Sequence, residues 1–222
     1  MKKKGFTLAE LILTMGIIGV IAAIIAPSLG NIMPDQNKAK VLKAYNVLTN
    51  TTNELINNPS IYAEDYDSQN NTMYEGLASY RSAPDQTDYP DSKFSGITKF
   101  PRLLTEVLSL SEDAKAVTNG YSFTTTDGIC WNVTANQATY ETIGTTKYTR
   151  ITYNVTIDTD SENAGSNCYY GQSGCKKPDL FKFTVDTFGH VEGSDPLTKA
   201  YLLNPTKMND KKADYAEAEK LK

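Results

Sequence analysis

Few residue types in this chain can do chemistry, and their placement limits which chemistry that is. The chain holds one histidine, His190, and three cysteines, Cys130, Cys168 and Cys175. No Ser or Cys nucleophile lies near His190 in sequence, and no glycine-rich phosphate loop is visible, so an enzyme is not expected. Zinc would need four soft ligands; the three Cys and His190 reach that number without any CxxC spacing. Cys168 and Cys175 bracket a stretch rich in Tyr, Gly and Ser, and in an oxidising compartment they are expected to close a small loop as a disulfide. Pairing of Cys130 with either of them stays open on sequence alone. Beside Trp131 in an expected strand, Cys130 otherwise reads as a buried thiol.

The carboxylates offer two cation sets. Asp158-Thr159-Asp160-Ser161-Glu162-Asn163 spaces its oxygens like the first half of a calcium loop. Its sixth position is Asn163 where the loop needs Gly, and its twelfth is Tyr169 where it needs Glu, so a Thr/Asp-rich turn is the better reading. Asp186 with Glu192 and Asp195 is the second set. Asp158, Asp160 and Asp186 are thus the nearest approach to calcium ligands, and no metal or other cofactor is expected. With 22 Lys and Arg against 26 Asp and Glu the net charge is −4, without the dense basic surface that nucleic acid requires.

The most informative carboxylate is Glu10, inside an apolar run that continues to Leu29. That run is long enough to cross a bilayer as a helix, and Lys2, Lys3 and Lys4 hold its start in the cytoplasm, so the C-terminal bulk is exported. A carboxylate in a membrane helix is unfavourable by about 2.5–3.5 kcal/mol and normally has a partner. No Lys or Arg stands between Phe6 and Asn37 to provide one. A cut between Gly5 and Phe6 would create an amine one helical turn from Glu10, able to pair within the chain or with a neighbour's Glu10. A secretory signal peptide, whose apolar region is shorter and uninterrupted, and a plain membrane anchor both leave Glu10 unexplained.

The segment Lys4-Gly5-Phe6-Thr7-Leu8-Ala9-Glu10 closely resembles the leader and cleavage motif of type IV pilins and type II secretion pseudopilins. The resemblance implies that a prepilin peptidase cuts after Gly5 and methylates Phe6. It also implies that Glu10 pairs with the N-terminal amine of an adjacent subunit during assembly. The run through Ala23 is similar to the family as well, and Pro27 falls where many members carry a kinking proline. The implied partners are the peptidase, copies of this chain or other pilins, and an assembly platform in the inner membrane. The implied location is the bacterial cytoplasmic membrane, crossed once with the head outside, and then a periplasmic or extracellular filament. The function so implied is that of a structural filament subunit; the alternative is a minor, tip-located pilin or anchored adhesin binding a ligand through its head. Gly16 and Gly19 would let neighbouring helices approach closely.

The elements that must position these residues divide the chain into a leader (1–5), a transmembrane and assembly helix (6–29), its amphipathic continuation (30–58), a connection (59–120) and a sheet head with a tail (121–222). In the continuation, Pro34 suits a first helical position and Asp35 the first turn. Val41, Leu42, Tyr45, Leu48, Thr52, Leu55 and Ile56 recur at helical spacing, with Lys38, Lys40 and Lys43 on the polar side. Asn57-Asn58-Pro59 ends the helix. Run together from Phe6 to Ile56, the helix would be on the order of 75 Å long.

Residues 59–98 are acidic, with Tyr62, Tyr66, Tyr74, Tyr80 and Tyr89 interleaved, and read as an irregular connection. Phe100–Leu110 reads as a short helix. Tyr121–Thr126 and Ile129–Thr134 flank Asp127-Gly128, a two-residue hairpin signal. Further strands are expected at about 138–143, 147–157 and 180–186, the second without an assignable buried face. Phe183 to His190 resembles the strand and turn that close many such heads. Lys207–Lys222 reads as a solvated helix or frayed tail. The expected fold is α+β and pilin-like: a long N-terminal helix, its first half spanning the membrane, packed against an antiparallel sheet.

Overall fold

The computed structural model describes residues 12, 14–20, 35–80, 96–160, 167–206 and 210–222. Residues 14–20 are helical, and the head begins with α1, Gln36–Ile56. Asp35 sits one position earlier than expected, as the N-cap, its carboxylate accepting from the Asn37 amide at 3.1 Å. Its backbone is extended (φ −64°, ψ 103°), so the nearly continuous helix expected from Phe6 to about Ile56 is interrupted there. The apolar stripe falls as predicted: Val41, Leu48, Thr52 and Leu55 are buried and Tyr45 and Ile56 pack partly against the core. Lys38 corrects the pattern. Placed on the polar side by its type, it is fully buried, because a carboxylate from the far end of the chain meets it there.

The head is α+β. Among the described residues ten strands form two sheets: β1 (Asp65–Asp67), β2 (Thr72–Tyr74), β3 (Lys115–Val117), β4 (Gly120–Thr124), β5 (Cys130–Ala135), β6 (Thr139–Ile143), β7 (Thr146–Arg150), β8 (Tyr153–Asp158), β9 (Leu180–Val185) and β10 (Val191–Gly193). The main sheet is antiparallel throughout, in the order β10-β9-β8-β5-β4-β3. Its inner face carries Phe123, Trp131, Val133, Val155, Ile157, Phe181, Phe183 and Val185 against α1, with Tyr45 and Phe183 rings 6.2 Å apart. Helix α2 (Lys99–Val107) covers the same core through Phe100, Leu103 and Leu104; Phe100 lies 4.7 Å from the ring of Tyr153. The helix stops at Val107, short of the expected Leu110, and Val107 itself is exposed.

The hairpin at Asp127-Gly128 is real but longer than two residues. The Thr125 amide donates to Ile129 O and the Gly128 amide to Thr125 O. Gly128 takes φ +75°, so the loop is a turn followed by a left-handed glycine. The single strand expected at 147–157 is two strands, β7 and β8, separated at Ile151-Thr152 and belonging to different sheets. That switch explains why no one face could be assigned. In β8 alone, Tyr153, Val155 and Ile157 all point inward.

The second sheet, β1-β2-β7-β6, replaces part of the expected irregular connection. Two short strands from residues 59–80 join the β6–β7 hairpin, β2 running parallel to β7. The turn after β9 fastens this sheet to the main one. The Thr187 hydroxyl accepts from the Ile151 amide at 2.8 Å and donates to its carbonyl at 3.0 Å, while Thr187 O accepts from the Leu77 amide at 2.8 Å. Gly76 makes that contact possible: at φ +53°, a Cβ on it would lie 2.2 Å from Thr187 O. Two helices end the chain, α3 (Pro196–Leu203) and α4 (Lys211–Lys220). The tail expected to be solvated is docked: Asp214 and Ala218 are fully buried.

Candidate functional site

Gly5, Phe6, Glu10 and Pro27, the residues expected to carry cleavage, methylation, assembly and the kink, lie outside the described residues. What is described beside them is informative. Ile12, Met15, Ile17, Ile18 and Val20 are each more than half exposed, and at 100° per residue they point around the whole helix. A Cβ on Gly16 or Gly19 would meet nothing within 4 Å. A helix apolar on all sides requires an apolar surrounding on all sides, a bilayer or a bundle of like helices. Among the described residues no helix is long and apolar enough to cross a membrane, and most of the apolar run to Leu29 falls outside them.

Where the chain enters the head, charge is concentrated inside. Lys38 Nζ reaches both carboxylate oxygens of Asp214, at 2.9 and 2.8 Å, and neither side chain is more than 1% exposed. The ammonium also lies 5.5 Å from the centre of the Tyr201 ring, whose hydroxyl donates to Asp35 Oδ2 at 3.1 Å. Burial pushes the Asp214 carboxyl upward despite Lys38, and Asp35 and Asp210 add to the shift. Burial, then the Asp35 charge, likewise raises the Tyr201 phenol, so it stays a hydrogen-bond donor. The cluster pins α4 and α3 to the first turn of α1.

Cys168 and Cys175 are joined in a disulfide, and Cys130 is the free thiol. Cys130 is only half-buried, not the buried thiol expected, because it faces outward on β5 with the Thr124 hydroxyl 3.0 Å away. The disulfide loop presents Tyr170 to α4: the two rings of Tyr170 and Tyr215 meet edge to face at 5.2 Å, and the Tyr170 hydroxyl lies 3.0 Å from Glu219. Replacing Cys168 and Cys175 by Ser is expected to lower stability by roughly 2–3 kcal/mol, the scale of a short closed loop. Protease cleavage should then increase first within α4; unchanged protection of α4 would show that the loop does not hold it.

The acidic residues assemble differently from expectation. Asp158 and Asp160 are joined by Asp179, with ligand oxygens all within 4.8 Å of one another, whereas Asp186 stands elsewhere. Asp186 accepts from the amides of Phe188 and His190 and from His190 Nδ1, all at 2.9 Å. Asp195 caps α3 through the Leu197 and Thr198 amides and also accepts from the Lys182 amide at 2.7 Å, so the second cation set is turn and cap chemistry. Asp179 was missed because only folding brings it beside Asp158.

Burial, then the Asp179 and Asp158 charges, raises the Asp160 carboxyl, and its Oδ1 is buried without a hydrogen-bond partner. The folded state therefore favours protonated Asp160. Its stability falls as pH rises from the ordinary carboxyl range through the raised value. Asp160→Asn is expected to raise the midpoint of thermal unfolding at pH 7 by an amount equivalent to up to ~1 kcal/mol. It should change the midpoint at pH 3 far less; equal effects at both values would contradict this.

Residues 1–26 match the prokaryotic N-terminal methylation motif, the signature of type IV pilins and pseudopilins. No curated protein and no solved structure matches the chain. The matched stretch contains Gly5, Phe6 and Glu10, the residues expected from the sequence to carry cleavage, methylation and assembly.

Proposed function

We propose that this chain is a structural subunit of a type IV pilus-like or type II secretion pseudopilus filament. The observation that carries the reading is the methylation motif at residues 1–26, with Glu10 as the lone charge in an apolar run. The exposed apolar side chains from Ile12 to Val20 support it, since they need neighbours that a single chain does not supply. In this reading the chain is inserted in the inner membrane with its head outside. Prepilin peptidase cuts after Gly5 and methylates Phe6, and an assembly platform adds the subunit to a helical array. The head contributes shape and contacts; its α+β body is held rigid on α1 so that force on one reaches the other.

Intact mass of the protein recovered from its own membrane tests the first step. A polypeptide beginning at methylated Phe6 is expected. A second variant, Gly5→Leu, should accumulate as uncut precursor in the membrane. Native protein that still begins with Met1 and its lysines, or mature-sized product from Gly5→Leu, would contradict the assignment.

A further inference from the structure

An edge strand exposes unpaired amides and carbonyls that can recruit another strand, and monomeric proteins normally blunt or cover it. Among the described residues the two sheets end in four edges. β10 lies against α3, with a Cβ on Gly193 only 3.0 Å from Thr198 and 3.1 Å from the Lys199 backbone nitrogen. The other three, β1, β3 and β6, end their sheets without a further strand. β6 is distinctive: all five residues, Thr139 to Ile143, are exposed, so the strand stands clear of the core on both faces. It displays Tyr140 and Ile143, 59% and 55% exposed. Its one charge, Glu141, is tied to Arg150 at 2.9 Å and stands on the strand's face, leaving the outer backbone edge clear.

Resting on the filament reading above, we propose that the outer edge of β6 pairs with the edge of β3 in a neighbouring copy of this chain. Charge selects the partner strand. Against another β6, antiparallel pairing about the strand centre sets Glu141 opposite Glu141. Against β1, a one-residue shift from the centred pairing sets it opposite Asp65 or Asp67, whereas the same shift on β3 sets it opposite Lys115. Like charges directly opposite one another disfavour a strand pair. Only β3, Lys115-Ala116-Val117, offers a basic residue and no acid, with Lys115 and Ala116 exposed. Symmetry agrees. A contact from β6 of one head to β3 of the next uses two different patches, which is the heterologous arrangement that propagates into an open helical assembly. A β6-to-β6 contact would close as a dimer.

The test uses the full chain in its native membrane, with Cys130→Ser in every variant so that no other free thiol is present. Glu141→Cys combined with Lys115→Cys is expected to give a ladder of covalent multimers on mild oxidation, and each single variant none. Tyr140→Cys with Ala116→Cys repeats the test in the same antiparallel register while leaving the Glu141–Arg150 ion pair intact. Glu141→Lys and Lys115→Glu should each lower filament yield about tenfold, and together restore it. Normal filaments without any ladder from either cysteine pair would overturn the β6–β3 contact and leave the filament reading standing. Dimers from Glu141→Cys alone would overturn it in favour of self-pairing. Failure of the unaltered chain to form any filament would bring down both.

Discussion

Replacing Glu10 by valine is expected to leave cleavage after Gly5 intact and to abolish recovery of the protein in sheared filaments. Valine is easier to hold in a bilayer than a carboxylate, by about 2.5–3.5 kcal/mol on insertion scales, so a defect cannot be laid to poor insertion. What disappears is the counter-ion for a neighbour's Phe6 amine. A charge-assisted hydrogen bond to such a group is worth about 1.5–3 kcal/mol. Each subunit added would lose that much, and a loss of ~2.7 kcal/mol is a hundredfold weaker step. Growth by repeated addition cannot absorb such a factor at every step. Glu10→Gln keeps an acceptor without the charge and should fall between the two. Wild-type filament yield from Glu10→Val, with mature-sized protein, would remove the pairing from the mechanism.

How far the sequence spoke for the structure differs by element. The stripe of α1 was legible because a helix laid on a core repeats its apolar residues at steps of three and four. The strands β4, β5 and β9 were legible from local composition, Thr-, Tyr- and Ile-rich runs, with the Asp127-Gly128 turn marking the first two. Lys38 was misread by that logic, since its burial depends on Asp214, far away in sequence, and periodicity carries no information about such partners. The second sheet was half legible: β6 and most of β7 fall in runs expected as strands, whereas β1 and β2 are each three residues long, too short for a pattern. Ile151 lies between two strands of different sheets, and what fixes it is the Thr187 hydroxyl, again a long-range contact. The N-terminal site is the reverse case. Glu10 among apolar residues is a local anomaly, visible without any fold, because a lone charge in such a run demands a partner wherever the chain goes.

The second large effect lies in the head. Lys38→Met is expected to lower unfolding stability by about 3–5 kcal/mol, the range for removing one member of a buried ion pair. For a domain whose total stability is about 5–15 kcal/mol, that is a large share. The reason is Asp214: only 1% exposed, it would be left in the protein interior with Asp35 and Asp210 raising its carboxyl further. The chain should relieve this by releasing α4, which is held otherwise by Tyr170, Ala218 and the ion pair of Lys211 with Asp35 at 3.8 Å. Protease cleavage beyond Leu203 should therefore rise before the sheet unfolds. Lys38→Met together with Asp214→Leu removes both charges and fills their space with apolar atoms, and should be less destabilised than Lys38→Met alone. The measurement is urea unfolding of the full chain in detergent, followed by tryptophan fluorescence of Trp131, which is 2% exposed and donates from its indole to Thr125 Oγ1 at 3.0 Å. A double variant weaker than the single would show that the unpaired Asp214 carboxylate is not what destabilises Lys38→Met. A double variant weaker than the unaltered chain would make the buried ion pair a net source of stability.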